Sequence, residues 1–348
     1  MRKKGKHSSM DVITKNKFRA IFTGPKRNKV IALAIALLII VAATVIVITQ
    51  AAGFFASVEP DTGTLATNAK VVTDSSASGG KAVQFTAPVV PPPVTPPPTG
   101  GTCALPNYPS ASCTGVPVGT NLTVVSGDLH ITTAGSVVEG KDIRGCVFVE
   151  AASVTIRKSK ITCDFAFGIH ALAANYSGVG PLIEDVEISC DGSSATGVAG
   201  YGFTARRVNA YGCENAFSVD NNVTIEDSYI HDLYHATGAH TDGIQLSGGS
   251  NITIRHNKIL NQDTNGTSAI IGDTASFSNV LITNNLLGGG GYTLYCADSV
   301  SPNYRVTNNR WSRSIYPNGG FYGPWRNCQL ATEVTGNVWD DTSQPVPF

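Results

Sequence analysis

The sequence predicts an all-β fold, a right-handed parallel β-helix forming an ectodomain behind one N-terminal transmembrane helix. Three observations carry this reading. Gly accounts for 36 of 348 residues and Met for only 2, so the composition suits a turn-dense β protein rather than a helical bundle. A segment with β-branched alternation recurs through residues 102–348. The formal charge of zero is a sum of two opposed parts. Residues 1–29 carry ten Lys/Arg against one acid, Asp11, a net of +9, and the remaining 15 bases and 24 acids give −9. Such a split assigns the two parts to different surroundings.

The basic tail, 1–29, runs into Val30–Thr49, 20 residues without a charge. As a helix this stretch would be about 30 Å long, the thickness of a bilayer's hydrocarbon core. The predicted span is 30–50. The bases all lie before it, so the tail stays cytoplasmic and the rest is placed outside the cell. A cleaved signal peptide is the rival reading, with Gln50-Ala51-Ala52 as its processing site. Residues 51–101 form a stalk. Its last part, 87–101, holds seven prolines and suits an extended polyproline II spacer.

Eight segments align from residue 154 onward, among them VTIRKSKI (154–161), VTIEDSYI (223–230) and ITIRHNKI (252–259). Their third residues are Ile156, Ile183, Ala205, Ile225, Ile254, Ile282, Val306 and Val334. The spacings are 27, 22, 20, 29, 28, 24 and 28 residues. Periods in this range with β-branched anchors mark a solenoid that contributes strands from every coil. Three positions after each anchor stand Ser159, Val186, Val208, Ser228, Asn257, Asn285, Asn309 and Asn337. The four consecutive Asn predict an internal amide ladder. Five positions after each anchor an apolar stack runs from Ile161 to Trp339. An upstream strand completes each coil, as in GIHAL (168–172), GIQL (243–246) and GFYG (320–323).

These repeats resemble the pectate-lyase-like β-helix superfamily over about residues 120–345. The resemblance implies a polysaccharide groove on the outer face of the upstream strands. Residues 57–86 resemble the opening strands of a β-sandwich carbohydrate-binding module through Gly63-Thr64-Leu65 and the run from Asp74 to Val83; they read as a remnant within the stalk.

All eight cysteines follow residue 102, which fits disulfides in an oxidising space. Spacing suggests Cys103–Cys113 as a local clip and Cys296–Cys328 across the last coils. Cys163 and Cys190 share a repeat position and are expected to pair. Cys213 competes for Cys190, and Cys146 is otherwise left for Cys213.

Alternation on the upstream strands sends Phe217, Ile244, Leu294 and Phe321 inward. It turns His170, Gln245, Tyr295 and Tyr322 outward as candidate substrate-binding residues. The tyrosines suit stacking on sugar rings. The longest repeat holds Tyr234, His235, His240 and Asp242, the candidate catalytic set. A His beside a carboxylate suits general acid–base chemistry. Thr241-Asp242-Gly243-Ile244 resembles the aspartate strand of galacturonide hydrolases, although the next coil offers Asp273 and no Gly-His-Gly. Asp242-Gly243 equally suits a plain corner. A calcium site from Asp242, Glu214 and Asp273 is the metal alternative, and no other cofactor is called for. His256 reads as a plain outward residue. Two functions follow: binding or processing of an extracellular polysaccharide (lyase, hydrolase or epimerase), or non-catalytic adhesion at the cell surface. The acidic ectodomain disfavours nucleic acid and uronate polymers and leaves neutral or cationic glycans more open.

Overall fold

The computed structural model describes residues 69–73, 81–85, 103–172, 179–263, 265–272, 276–297 and 301–348. The predicted membrane span, the Pro-rich linker and Asp273 lie outside the described residues. Among the described residues no helix is long and apolar enough to cross a membrane. Two units are present. In the first, Ala69–Thr73 and Lys81–Phe85 form an antiparallel pair.

The second unit is a stack of parallel strands, the arrangement of a β-helix. One sheet has nine strands, from Val137–Glu139 through Thr155–Arg157 to Glu333–Thr335. We term it the first ladder. Two further ladders are joined into one seventeen-stranded sheet where Glu187–Tyr201 and Asn209–Val219 continue from one into the other. The second ladder includes Lys160–Thr162, Tyr229–Ile230 and Arg310–Trp311. The third includes Phe167–Leu172, Asp242–Leu246 and Tyr292–Tyr295.

The eight anchors stand in one register. Ile156 pairs with Ile183, and the column continues unbroken through Ala205, Ile225, Ile254, Ile282 and Val306 to Val334. The stack from Ile161 to Trp339 is also continuous. Ile156, Ile183, Ile225, Ile254 and Ile282 are fully buried. Each contributes about 1.5–3 kcal/mol of transfer free energy, and parallel stacking at about 4.8 Å lets them form one core.

The predicted amide ladder is present and lies inside. Asn257 Nδ2 donates to Asn285 Oδ1 at 3.0 Å, Asn285 Nδ2 to Asn309 Oδ1 at 2.9 Å, and Asn309 Nδ2 to Asn337 Oδ1 at 3.1 Å. A second ladder runs outside, through Asn222, Asn251, Asn279 and Asn303, at 2.7–2.9 Å. All four of its members have φ between 54° and 60°, the left-handed region that Asn tolerates. They form the corner before the first ladder.

The corner after the first ladder is left-handed too, and it carries charge. Lys158, Asp185, Arg207, Asp227 and His256 all have positive φ. The residue before each is Arg157, Glu184, Arg206, Glu226 and Arg255. Coils therefore alternate basic and acidic doublets. Lys158 reaches Glu139 at 3.1 Å, Arg206 reaches Glu184 at 2.6 Å, and Arg255 pairs with Glu226. Lys and Arg enter this backbone region reluctantly. Here opposite charge on the neighbouring coil offsets that cost. His256 is thus no plain outward residue: it fills a cation slot and bonds Asp227.

Two expectations are corrected. The last upstream strand is Gly323–Arg326, not 320–323. Trp325 pairs with Leu294 and Arg326 with Tyr295, so Trp325 takes the column position expected of Phe321 and Arg326 the outward one expected of Tyr322. The reason is the preceding corner. A Cβ at Gly320 would meet Gly323 O at 2.6 Å and Gly291 O at 2.8 Å, so the backbone turns there too tightly for a strand. Phe321 and Tyr322 ride the turn, 60% and 67% exposed.

The disulfides are Cys103–Cys113 and Cys296–Cys328, as expected, but Cys163 bonds Cys146 and Cys190 bonds Cys213. Cysteines in strict register on adjacent strands hold their Cβ atoms about 4.8 Å apart, beyond the usual 3.5–4.5 Å of a disulfide. In each inner pair one cysteine stands two residues past its core neighbour (Ile161, Ile188) and the other three past (Ile143, Ala210). That offset turns the side chains together.

Candidate functional site

Asp242 opens the strand Asp242–Leu246 on the same side as Ile244 and Leu246, and is fully buried. Its register partners are Asn215 and Ser268. Asp242 N–H donates to Asn215 Oδ1 at 2.9 Å, and Ser268 Oγ donates to Asp242 Oδ1 at 2.5 Å. Thr241, also fully buried, holds the adjoining corner. Its carbonyl accepts from Asn261 Nδ2 at 2.8 Å, and its hydroxyl donates to the Tyr234 carbonyl and accepts from His235 Nδ1 at 3.0 Å. His235 therefore braces the corner, and Tyr234 is 38% exposed at the surface. His240 is exposed and carries no hydrogen bond or ion pair among the described residues.

The candidate catalytic set is thus taken apart by alternation. Asp242 faces inward from a strand, whereas His240 stays outside in the corner. Replacing Asp242 with Ala is expected to cost about 2–4 kcal/mol in chemical denaturation, because it strips the Ser268 hydroxyl of its acceptor inside the core. Of the calcium set, Asp273 lies outside the described residues, and the other two are held apart. Glu214 precedes inward Asn215 and so lies on the opposite face from Asp242. Among the described residues no group of three His, Cys, Asp or Glu is placed to hold a metal ion.

The outer face of the third ladder is different. Register aligns His130, Phe148, His170, Ala199, Ser218, Gln245, Ile271, Tyr295 and Arg326 in one column. Rings gather at both ends. His130 stacks on Phe148 with centroids 4.7 Å apart, and Phe167 lies 4.6 Å from His170. Burial holds the His170 imidazole below its ordinary pKa, so it is neutral at neutral pH. At the other end Tyr292 lies 5.4 Å from Tyr295 and 5.7 Å from Tyr322, and Phe321 is 4.9 Å from Tyr322. The Arg326 guanidinium stands 5.9 Å from the Tyr295 ring. Burial raises the Tyr295 phenol, which stays protonated.

Ala199 and Ser218 keep the middle of the column low. Five coil steps separate His170 from Tyr295, about 24 Å at 4.8 Å per step.

No family model, curated protein or solved structure matches this chain.

The geometry brings Tyr295 and Tyr322 together through Tyr292, sets Gln245 two steps away, and leaves His170 at the far end. Tyr292, Tyr316 and Arg326 join the platform without having been singled out in sequence, and Phe321, expected inside, joins it from the turn. For Tyr316 and Phe321 the signal is the density of aromatics in YPNGGFYGPW (316–325) around a Gly-Gly corner. Exposed ring faces beside a guanidinium and hydroxyls can bind a polyol by stacking and hydrogen bonding. They hold no paired acid and base.

Proposed function

We propose that this chain is a non-catalytic, cell-surface β-solenoid of the pectate-lyase-like type that binds an extracellular glycan. The observation that carries the reading is the aromatic platform of Tyr292, Tyr295, Phe321 and Tyr322 at one end of an open outer face. The enclosure of Asp242 away from His240 favours binding over lyase, hydrolase or epimerase chemistry. The uncharged run Val30–Thr49 behind a basic tail supports anchoring with the solenoid outside. Four disulfides support an oxidising compartment. The net −9 of residues 30–348 favours a neutral or cationic glycan over a uronate polymer.

The test is a polysaccharide binding panel on the full chain in lipid nanodiscs, with product release followed in parallel. A retained neutral or cationic glycan and no new chain ends are expected. Tyr295→Ala and Tyr322→Ala should each weaken binding about threefold to tenfold, the range of one aromatic contact. His240→Ala should leave it unchanged. Cleavage that depends on His240, or equal binding by both tyrosine variants, would overturn the reading.

A further inference from the structure

We propose that the disulfide-closed segment 103–113 is a strap held against the solenoid by protonated His256, closed in acidic to neutral solution and released in alkaline solution. The segment lies outside the coils and is closed on itself by Cys103–Cys113. With Lys258 and Leu286, from successive coils, and Asp340, two coils further on, it lines a polar cleft. Among the described residues one hydrogen bond ties 103–113 to those coils: His256 Nε2 to the Asn107 carbonyl, 3.0 Å. The next tie along the chain is Gly115 N–H to the Arg207 carbonyl at 2.8 Å.

His256 Nδ1 lies 2.5 Å from Asp227 Oδ1. Both partners of the ring, a carboxylate and a carbonyl, can only accept. Both nitrogens must therefore carry protons, which makes the ring an imidazolium. A neutral ring would turn a lone pair toward one acceptor and break one end of the clasp. The charge column gives the same answer independently. His256 follows Lys158, Asp185, Arg207 and Asp227 in the position where a cation belongs.

The surrounding groups leave His256 as the one that switches. Asp227, from the preceding coil, is its anion. Arg255, on its own strand, pairs with Glu226 and stays charged. Asn284, at the next corner, does not titrate. Tyr108, on the strap with its ring 5.8 Å away, has its phenol pushed up by burial to about 12 and remains neutral. The Asp227 hydrogen bond, against the opposing effect of burial, raises the His256 pKa above its ordinary value. A raised folded pKa means the hold is complete below about 6.5 and is lost as pH rises through the raised value.

Hydrogen exchange of the full chain in nanodiscs tests this, with rates across 104–113 corrected for the chemical rate at about pH 6 and about pH 9. In the wild type, strap opening should rise about tenfold or more at the higher pH, as loss of one charge-assisted bond implies. His256→Arg should keep the strap protected at both. His256→Asn should leave it open at both while coil amides stay protected, because Asn284 and Asn308 already occupy the same backbone position. Equal strap protection of the wild type at the two pH values would sink the proposal, as would a pH step that survives in His256→Asn.

Discussion

Replacing Asn285 with Val is expected to destabilise the solenoid by about 3–5 kcal/mol. Asn285 is fully buried and sits mid-ladder. Its Oδ1 accepts from Asn257 N at 2.9 Å and from Asn257 Nδ2 at 3.0 Å, and its Nδ2 donates to the Ile254 carbonyl at 2.9 Å. Val takes the acceptor from Asn257 N and the donor from the Ile254 carbonyl, at about 1–3 kcal/mol each before relaxation, and leaves Asn257 Nδ2 only its bond to the Ile225 carbonyl. Volume is not the issue, because Val186 and Val208 occupy the same column higher up and are fully buried. Ser228→Val is the control. It removes the one acceptor that Ser228 Oγ gives Val208 N and should cost about 1–2 kcal/mol. Guanidinium denaturation with disulfides intact gives both values. Repeat arrays can open coil by coil, so exchange of amides 254–257 and 282–285 should be read alongside. Equal costs for the two substitutions would refute the ladder's role.

The ladder also shows what made the fold legible. Inward columns of a solenoid accept few residue types, because every coil meets the same neighbours above and below. Ile156 to Val334 and Asn257 to Asn337 therefore repeat visibly in the sequence. Corners are less constrained. GFYG and the run Gly323–Arg326 both read as strand, and only the backbone approach at Gly320 separates them. The inner disulfides were harder to read for a related reason: shared register, which favours Cys163–Cys190, is not proximity, and pairing needs the offset that a corner introduces, as in the competing pair Cys190–Cys213. The candidate catalytic residues are close along the chain. His240 and Asp242 lie two residues apart, but a corner ends and a strand begins between them, so one remains outside and the other enters the core. The doublets Arg157-Lys158, Glu184-Asp185, Arg206-Arg207, Glu226-Asp227 and Arg255-His256 were fully visible in the aligned segments. They point outward and lie off the core periodicity.

Arg207→Ala should cost about 3–5 kcal/mol, the usual penalty for breaking a buried ion pair on one side. The Arg207 guanidinium contacts Asp185 at 2.6 and 3.0 Å and Glu184 at 2.7 Å. Glu184 is 2% exposed and Asp185 5%. Burial opposes the charge on Arg207, yet the bonds from Asp185 and Glu184 outweigh it and raise the guanidinium pKa. Glu184 keeps Arg206 when Arg207 is removed. Asp185 does not have that reserve among the ion pairs of the described residues. Its carboxylate would be left enclosed without a cation. A double-mutant cycle with Asp185→Ala isolates the pair and should give a coupling of about 2–3 kcal/mol. Additivity within about 0.5 kcal/mol would mean that the alternating doublets decorate the corner rather than hold it. Strong coupling would mean that opposite charge on successive coils fixes their register. A one-coil slip would bring like doublets together, so this second outcome explains why the basic and acidic coils keep strict alternation from Arg157 to His256.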